Sequence, residues 1–199
     1  AGDLWLRLGD HAAAARLFRR AGNEDKLLRC LRHLGNHRDV ALLLEKRGEI
    51  EKAVDAFAAA AAASEESRRR LESEIPAAKT KRSAMKAAIR LAALDRDAEA
   101  APLFLRAGAV EAAARRYERA GDRLGMARCH ETAGRWIEAA RELGKAPGPD
   151  RDEPRRSAAI QHLLYRHLQA ARRQGREERE VDALLQEAGV DEKPGAVLP

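Results

Sequence analysis

Residues 108–146 read GAVEAAARRYERA, GDRLGMARCHETA, GRWIEAARELGKA, three segments of thirteen residues that each open on glycine. The same spacing recurs at Gly9, Gly22, Gly35 and Gly48. A fixed period constrains the fold before local propensity does. With glycine as position zero, position +5 carries Ala14, Leu27, Val40, Ala53, Ala113, Met126 and Ala139. Position +6 carries Ala15, Leu28, Ala41, Val54, Ala114, Ala127 and Ala140. Position +9 carries Phe18, Leu31, Leu44, Phe57, Tyr117, His130 and Leu143. Offsets of +2, +5, +6 and +9 step by three or four residues, which is one face of an α-helix. Glycine tolerates φ > 0 and ends the preceding helix. Asp10, Asn23, Asn36 and Asp122 follow directly and suit the N-cap of the next helix. Each repeat therefore predicts one helix of about ten residues and a tight turn.

An eighth repeat starts at Asp95, reading DRDAEAAPLFLRA, with Ala100, Ala101 and Phe104 at +5, +6 and +9. Asp stands there for glycine, and Pro102 at +7 predicts a kink or a late helix start. Two consecutive repeats make a helical hairpin of 26 residues. One hairpin cannot bury its apolar face alone, whereas stacked hairpins can. The small +5/+6 pair lets helix axes approach, and the larger +9 residue fills the space between layers. The expected fold is all-α: a solenoid of short antiparallel helix hairpins.

The pattern resembles the tetratricopeptide-like family of helical solenoids. The residues that carry the likeness are the small pair Ala113 and Ala114, the aromatic Tyr117, and the closing Ala120 and Gly121. It covers roughly residues 1–60 and 95–146. The helix-pair period of 26 departs from the family's usual ~34. The shorter form is similar to arrays in membrane-coat and transport-complex subunits and in large bacterial regulators. The resemblance implies an interaction scaffold.

Composition agrees with such an array. Of 199 residues, 35% are charged and only 4% aromatic, which suits Ala/Leu helices with solvated outer faces and argues against a β-sandwich or an α/β enzyme. The expected arrangement is one elongated domain. No apolar run reaches membrane-spanning length and no signal-peptide pattern is present, so a cytoplasmic location is expected. The chain opens on AGDLWLRLG, with Trp5 at +9 and Leu8 at +12 of a preceding repeat. That opening predicts a segment of a longer solenoid or of a larger protein. The high proportion of Arg over Lys points to a GC-rich, bacterial genome. Cys30 and Cys129 share position +8 and read as small buried thiols in a reducing compartment.

In chain order, residues 1–60 form the first block of repeats. From Gly48 the helical pattern runs on through polyalanine to Ile75; Pro76 marks a turn, and a second stretch runs from Ala77 to Leu94. Residues 61–94 are thus expected to form an inserted long helical hairpin that protrudes as an arm. Residues 95–146 resume the array. A Pro-rich loop follows, and residues 154–189 are expected to supply two capping helices. The first of these runs to Gln174, before Gly175, on Ile160, Leu163, Leu164, Leu168 and Ala171. The second rests on Val181, Leu184, Leu185 and Ala188. Residues 190–199 read as a disordered tail.

Two cationic sets stand out. Arg16, Arg29, Arg115, Arg128 and Arg141 all occupy +7, interrupted by Leu42, Asp55 and Pro102, and would form a row for an acidic peptide or other anion. The same residues also read as stems covering alanine-rich surface with solvated heads. Cations at +11 such as Arg20, Lys46 and Lys145 complement the helix dipole. The second set is Arg68, Arg69, Arg70, Lys79, Lys81, Arg82 and Lys86 on the expected arm, a basic patch suited to nucleic acid or another polyanion. Aromatics for base stacking are missing from it. The string Cys30, His33, His37 offers three ligands where zinc needs about four. Cys129, His130 and Glu131 are adjacent, and His130 falls in the +9 core slot. Phosphate-loop, dinucleotide, nucleophile-elbow and HExxH motifs are absent. The expectation is a non-enzymatic scaffold without cofactor or metal. Its partner would be a protein, a peptide or other domains of the same parent chain. A polyanion-binding solenoid and a rigid spacer in a multidomain enzyme are the alternatives.

Overall fold

A computed structural model describes residues 2–146 and 153–173. Among these, every regular element is an α-helix. The chain divides into two compact units, Ala1–Gly108 and Ala109–Pro199.

The N-terminal unit opens with α1 (Gly2–Arg7), α2 (His11–Arg20), α3 (Glu24–His33) and α4 (His37–Lys46). The turns between them repeat one design. Gly22 takes φ +68° and Gly35 φ +65°, so each closes its helix in the left-handed region. The next residue serves two helices at once. The Asn23 amide donates back to the Phe18 carbonyl at 3.0 Å, closing α2. Its Oδ1 accepts from the Lys26 amide at 3.1 Å, opening α3. Asn36 repeats this between Leu31 and Asp39, and Asp10 between Trp5 and Ala13. The carbonyl being closed belongs each time to a +9 residue, so core filling and helix termination share one position.

Packing follows the sequence register. Ala14, Ala41 and Ala53 are fully buried, as are Leu44 and Phe57 at +9. Ion pairs show how helices neighbour one another: Lys26 of α3 reaches Asp3 of α1 at 2.7 Å, and Arg19 of α2 reaches Asp39 of α4 at 2.9 Å. Alternate helices therefore come within side-chain reach of one another, while consecutive ones pack directly.

The stretch after Gly48 differs from the expected long hairpin. α5 (Ile50–Ala62) ends within the polyalanine run, and α6 (Glu65–Ser73) begins anew. The break falls at Ser64, an extended residue whose hydroxyl accepts from the Ser67 amide at 3.1 Å. Helical periodicity persists across residues 48–75, but a serine that caps the downstream amides offers the backbone a competing geometry. The next helix, α7 (Lys81–Ala93), starts at Lys81 rather than at Ala77. A reciprocal capping box between Thr80 and Ser83 sets that start. α7 is no arm. Ala84, Ala87, Ala88, Ile89, Arg90 and Leu91 are all buried, and it packs mainly on α5 and on α8 (Asp97–Ala107). α6 instead buries only Leu71.

Asp95 does replace glycine, at φ +58°, and the helix after it starts on time and runs through Pro102. The expected late start does not occur: Pro102 is the sixth residue of the helix and sits inside it, without the amide that would donate to the Ala98 carbonyl. The unit boundary then falls after Gly108, inside the second block of repeats.

The C-terminal unit contains α9 (Val110–Ala120), α10 (Arg123–Thr132), α11 (Trp136–Lys145) and α12 (Glu153–Arg173). Gly121 (φ +69°) and Gly134 (φ +73°) repeat the turn. Asp122 again closes on Tyr117 and caps Gly125 at 2.9 Å. α10 lies so close to α9 that a Cβ on Gly125 would stand 2.1 Å from the Tyr117 ring. Ile137, Ala139 and Ala140 of α11 pack against Leu163, Leu164 and Ala171 of α12, with Ile160 and Leu168 beside them. That is the face expected for the first capping helix. The register is looser here: Ala114, Met126, His130 and Leu143 are half-buried. The expected second capping helix, the tail 190–199 and most of the Pro-rich loop lie outside the described residues.

Candidate interaction groove

The N-terminal unit carries two adjoining hollows. One, of about 420 Å³, is formed by α2, α3 and α4, with Phe18, Leu27, Leu31, Leu42 and Leu43 along it. The other, of about 430 Å³, lies between α4 and α7, with Leu42, Met85 and Ala107 as its apolar lining. Leu42 and Lys46 belong to both, so the hollows meet along α4. Leu42 is a large apolar side chain left 36% exposed at that junction. Each hollow falls in the size range of ligand and side-chain pockets.

The borders are charged. Around the first hollow the charges are matched: Arg19 pairs with Asp39 at 2.9 Å and Lys46 with Glu24 at 2.6 Å. The second is lined by Lys46, Lys81, Arg82 and Lys86 against a single carboxylate, Glu45. Glu45 is itself engaged from below. The buried Arg90 donates to its Oε2 at 3.1 Å and to the Lys86 carbonyl at 3.0 Å. Arg90 also lies over the Phe57 ring, 4.9 Å from its centroid. An ion pair this buried, with 7% and 10% side-chain exposure, fixes α4 against α7.

The basic set expected on an arm is thereby divided. Arg68, Arg69 and Arg70 sit on α6 and pair with Glu72, Glu65 and Glu74 one turn away. Lys81, Arg82 and Lys86 line the α4–α7 hollow. Lys79 is exposed, and its carbonyl accepts from Arg106 at 3.3 Å. Glu74 additionally takes Arg38 at 2.6 Å beside a smaller hollow of about 80 Å³ under α6.

The +7 arginines are placed differently from the hollows. Arg16 and Arg29 are exposed in the N-terminal unit and line neither hollow. Arg115, Arg128 and Arg141 are exposed in the C-terminal unit. Of the three +7 residues that are not arginine, Leu42, Asp55 and Pro102, Leu42 lines both hollows. Its apolar side chain among arginines, an acid and a proline was the available signal for the groove. Arg116, one position further, is fully buried at the +8 position that Cys30 and Cys129 also bury, but as a guanidinium.

The remaining clusters have structural occupations. Cys30 is fully buried, and the His33 ring stacks on His11 at 4.4 Å with an interplanar angle of 9°. Among the described residues no three His, Cys, Asp or Glu side chains gather as a metal set. Burial pushes the Cys129 thiol up to about 11, so at neutral pH it is no thiolate nucleophile. Burial also lowers the His130 imidazole below its ordinary value. No helix among the described residues is long and apolar enough to cross a membrane. No protein-family model, curated protein or solved structure matches this chain.

Proposed function

We propose that the chain is a non-catalytic interaction module of the tetratricopeptide-like kind, and that its N-terminal unit holds a segment of another protein in the groove across α4. The observation that supports this reading most is Leu42, exposed where two apolar-lined hollows join. Leu42 is the apolar floor shared by both hollows, and a leucine- or phenylalanine-sized anchor fits hollows of this volume. Peptide recognition by stacked helices uses this combination of apolar floor and charged border.

The test is comparative capture with Leu42→Asp. The side chain is partly exposed, so the variant is expected to keep the helical circular dichroism and thermal midpoint of the parent. Proteins retained by the parent chain from its native cells, identified by mass spectrometry, should be lost from the variant. An unchanged set of retained proteins would remove the groove from the account.

A further inference from the structure

We infer that the segment held in the α4–α7 hollow is acidic, with carboxylate side chains flanking an aliphatic anchor. This rests on the groove reading above and adds the chemistry of the partner. Folding sorts the cations of residues 68–86 into two classes. The three arginines of α6 are matched by acids of their own helix. The cations of the α4–α7 hollow are not matched in this way. Lys81 and Arg82 make no ion pair among the described residues, and Lys86 stands 3.9 Å from a Glu45 already held by Arg90. Lys46 also lines the hollow from α4, but it is paired with Glu24 at 2.6 Å.

Lys81, Arg82 and Lys86 around one engaged carboxylate leave a local positive surplus beside Leu42 and Met85. Such a field attracts acids and rejects basic segments, which gives specificity that the apolar floor alone lacks. Lys81 and Arg82 are also the first two residues of α7, where cations oppose the helix dipole. Two basic residues at an unfavourable helix position, both on the border of a hollow, fit binding better than stability. A nucleic-acid strand is disfavoured by the same lining, because no aromatic side chain is available to stack a base.

The experiment pans a phage-displayed library of random sixteen-residue peptides on the full chain near physiological salt, then measures the enriched peptides by fluorescence polarisation. Two variants are run in parallel, Lys81→Glu/Arg82→Glu and Leu42→Asp. The double charge reversal places acids in the first turn of α7, where they support the helix, so loss of binding is not loss of fold. Enriched peptides are expected to be acidic around an aliphatic residue. Charge reversal should weaken them by about tenfold or more, with affinity falling as salt rises. Neutral or basic peptides that Leu42→Asp nevertheless abolishes would overturn the acidic partner and leave the groove standing. Enrichment that ignores Leu42→Asp, or no enrichment at all, would overturn both. Binding of a random-sequence oligonucleotide that displaces the peptides and is lost on charge reversal would give the hollow to nucleic acid and overturn the inference.

Discussion

At the scale of the residue, the glycines carry the fold. At Gly35 (φ +65°) a Cβ would meet no neighbouring atom within 4 Å, so the demand there is conformational and not spatial. Gly35→Ala should therefore lower stability by about 1–2 kcal/mol, the cost of a left-handed L-residue. Asp95 already bears that strain at φ +58°. Asp95→Gly should be neutral or gain up to about 1 kcal/mol, since the relief is set against the greater chain entropy of glycine. Urea titrations of the two variants decide this, and equal effects of the same sign would contradict it. This logic was legible before any coordinates, because glycine-then-Asn or glycine-then-Asp at a fixed period states both the end of one helix and the start of the next. Arg116 was not legible: a period reports which positions face inward, and a buried guanidinium at +8 contradicts the residue type expected there.

At the scale of the element, α7 shows where periodicity stops being informative. Residues 48–94 read as helix almost throughout, so the breaks at Ser64 and Thr80 had to come from side-chain capping that competes with helix continuation. Ala84, Ala87, Ala88, Ile89 and Leu91 announced an apolar helix, but not which neighbours would cover it. The Glu45–Arg90 pair does much to settle that, tying α7 to α4. Removing either partner alone, as Glu45→Leu or Arg90→Met, leaves a buried charge without its counterpart and should cost about 3–5 kcal/mol. The combined Glu45→Leu/Arg90→Met chain should recover most of that loss. A double-mutant cycle in urea measures it, and additive losses would show that the two side chains act separately.

At the scale of the whole molecule, two units built from one repeat have been given different sensitivities. In the C-terminal unit the +9 slot of α10 holds His130, where the N-terminal unit uses Phe18, Leu31, Leu44, Phe57 and Phe104. Burial depresses its folded-state pKa, so the unfolded chain takes up the proton first as pH falls. Stability is then highest above the unfolded value of about 6.5, declines below it, and levels off once the folded pKa is passed. Thermal midpoints of the C-terminal unit between pH 8 and 5 should follow this course. His130→Leu should flatten it, while Leu42→Asp should leave it untouched. A pH profile unchanged by His130→Leu would assign the effect to other groups. The groove was only half visible at this scale. Sequence gave its leucines and lysines, but Leu42 and Met85 lie far apart along the chain and meet only because α4 and α7 enclose one hollow.

The doubly employed Asn23, Asn36 and Asp122 leave the array without slack. An extra residue beside any of them would unhook one helix and uncap the next in a single event. Length variation in such a chain has to collect where connections are loose. Between the engaged Glu74 and Thr80, the exposed Ala77 is the side chain to replace for a label without disturbing the stack.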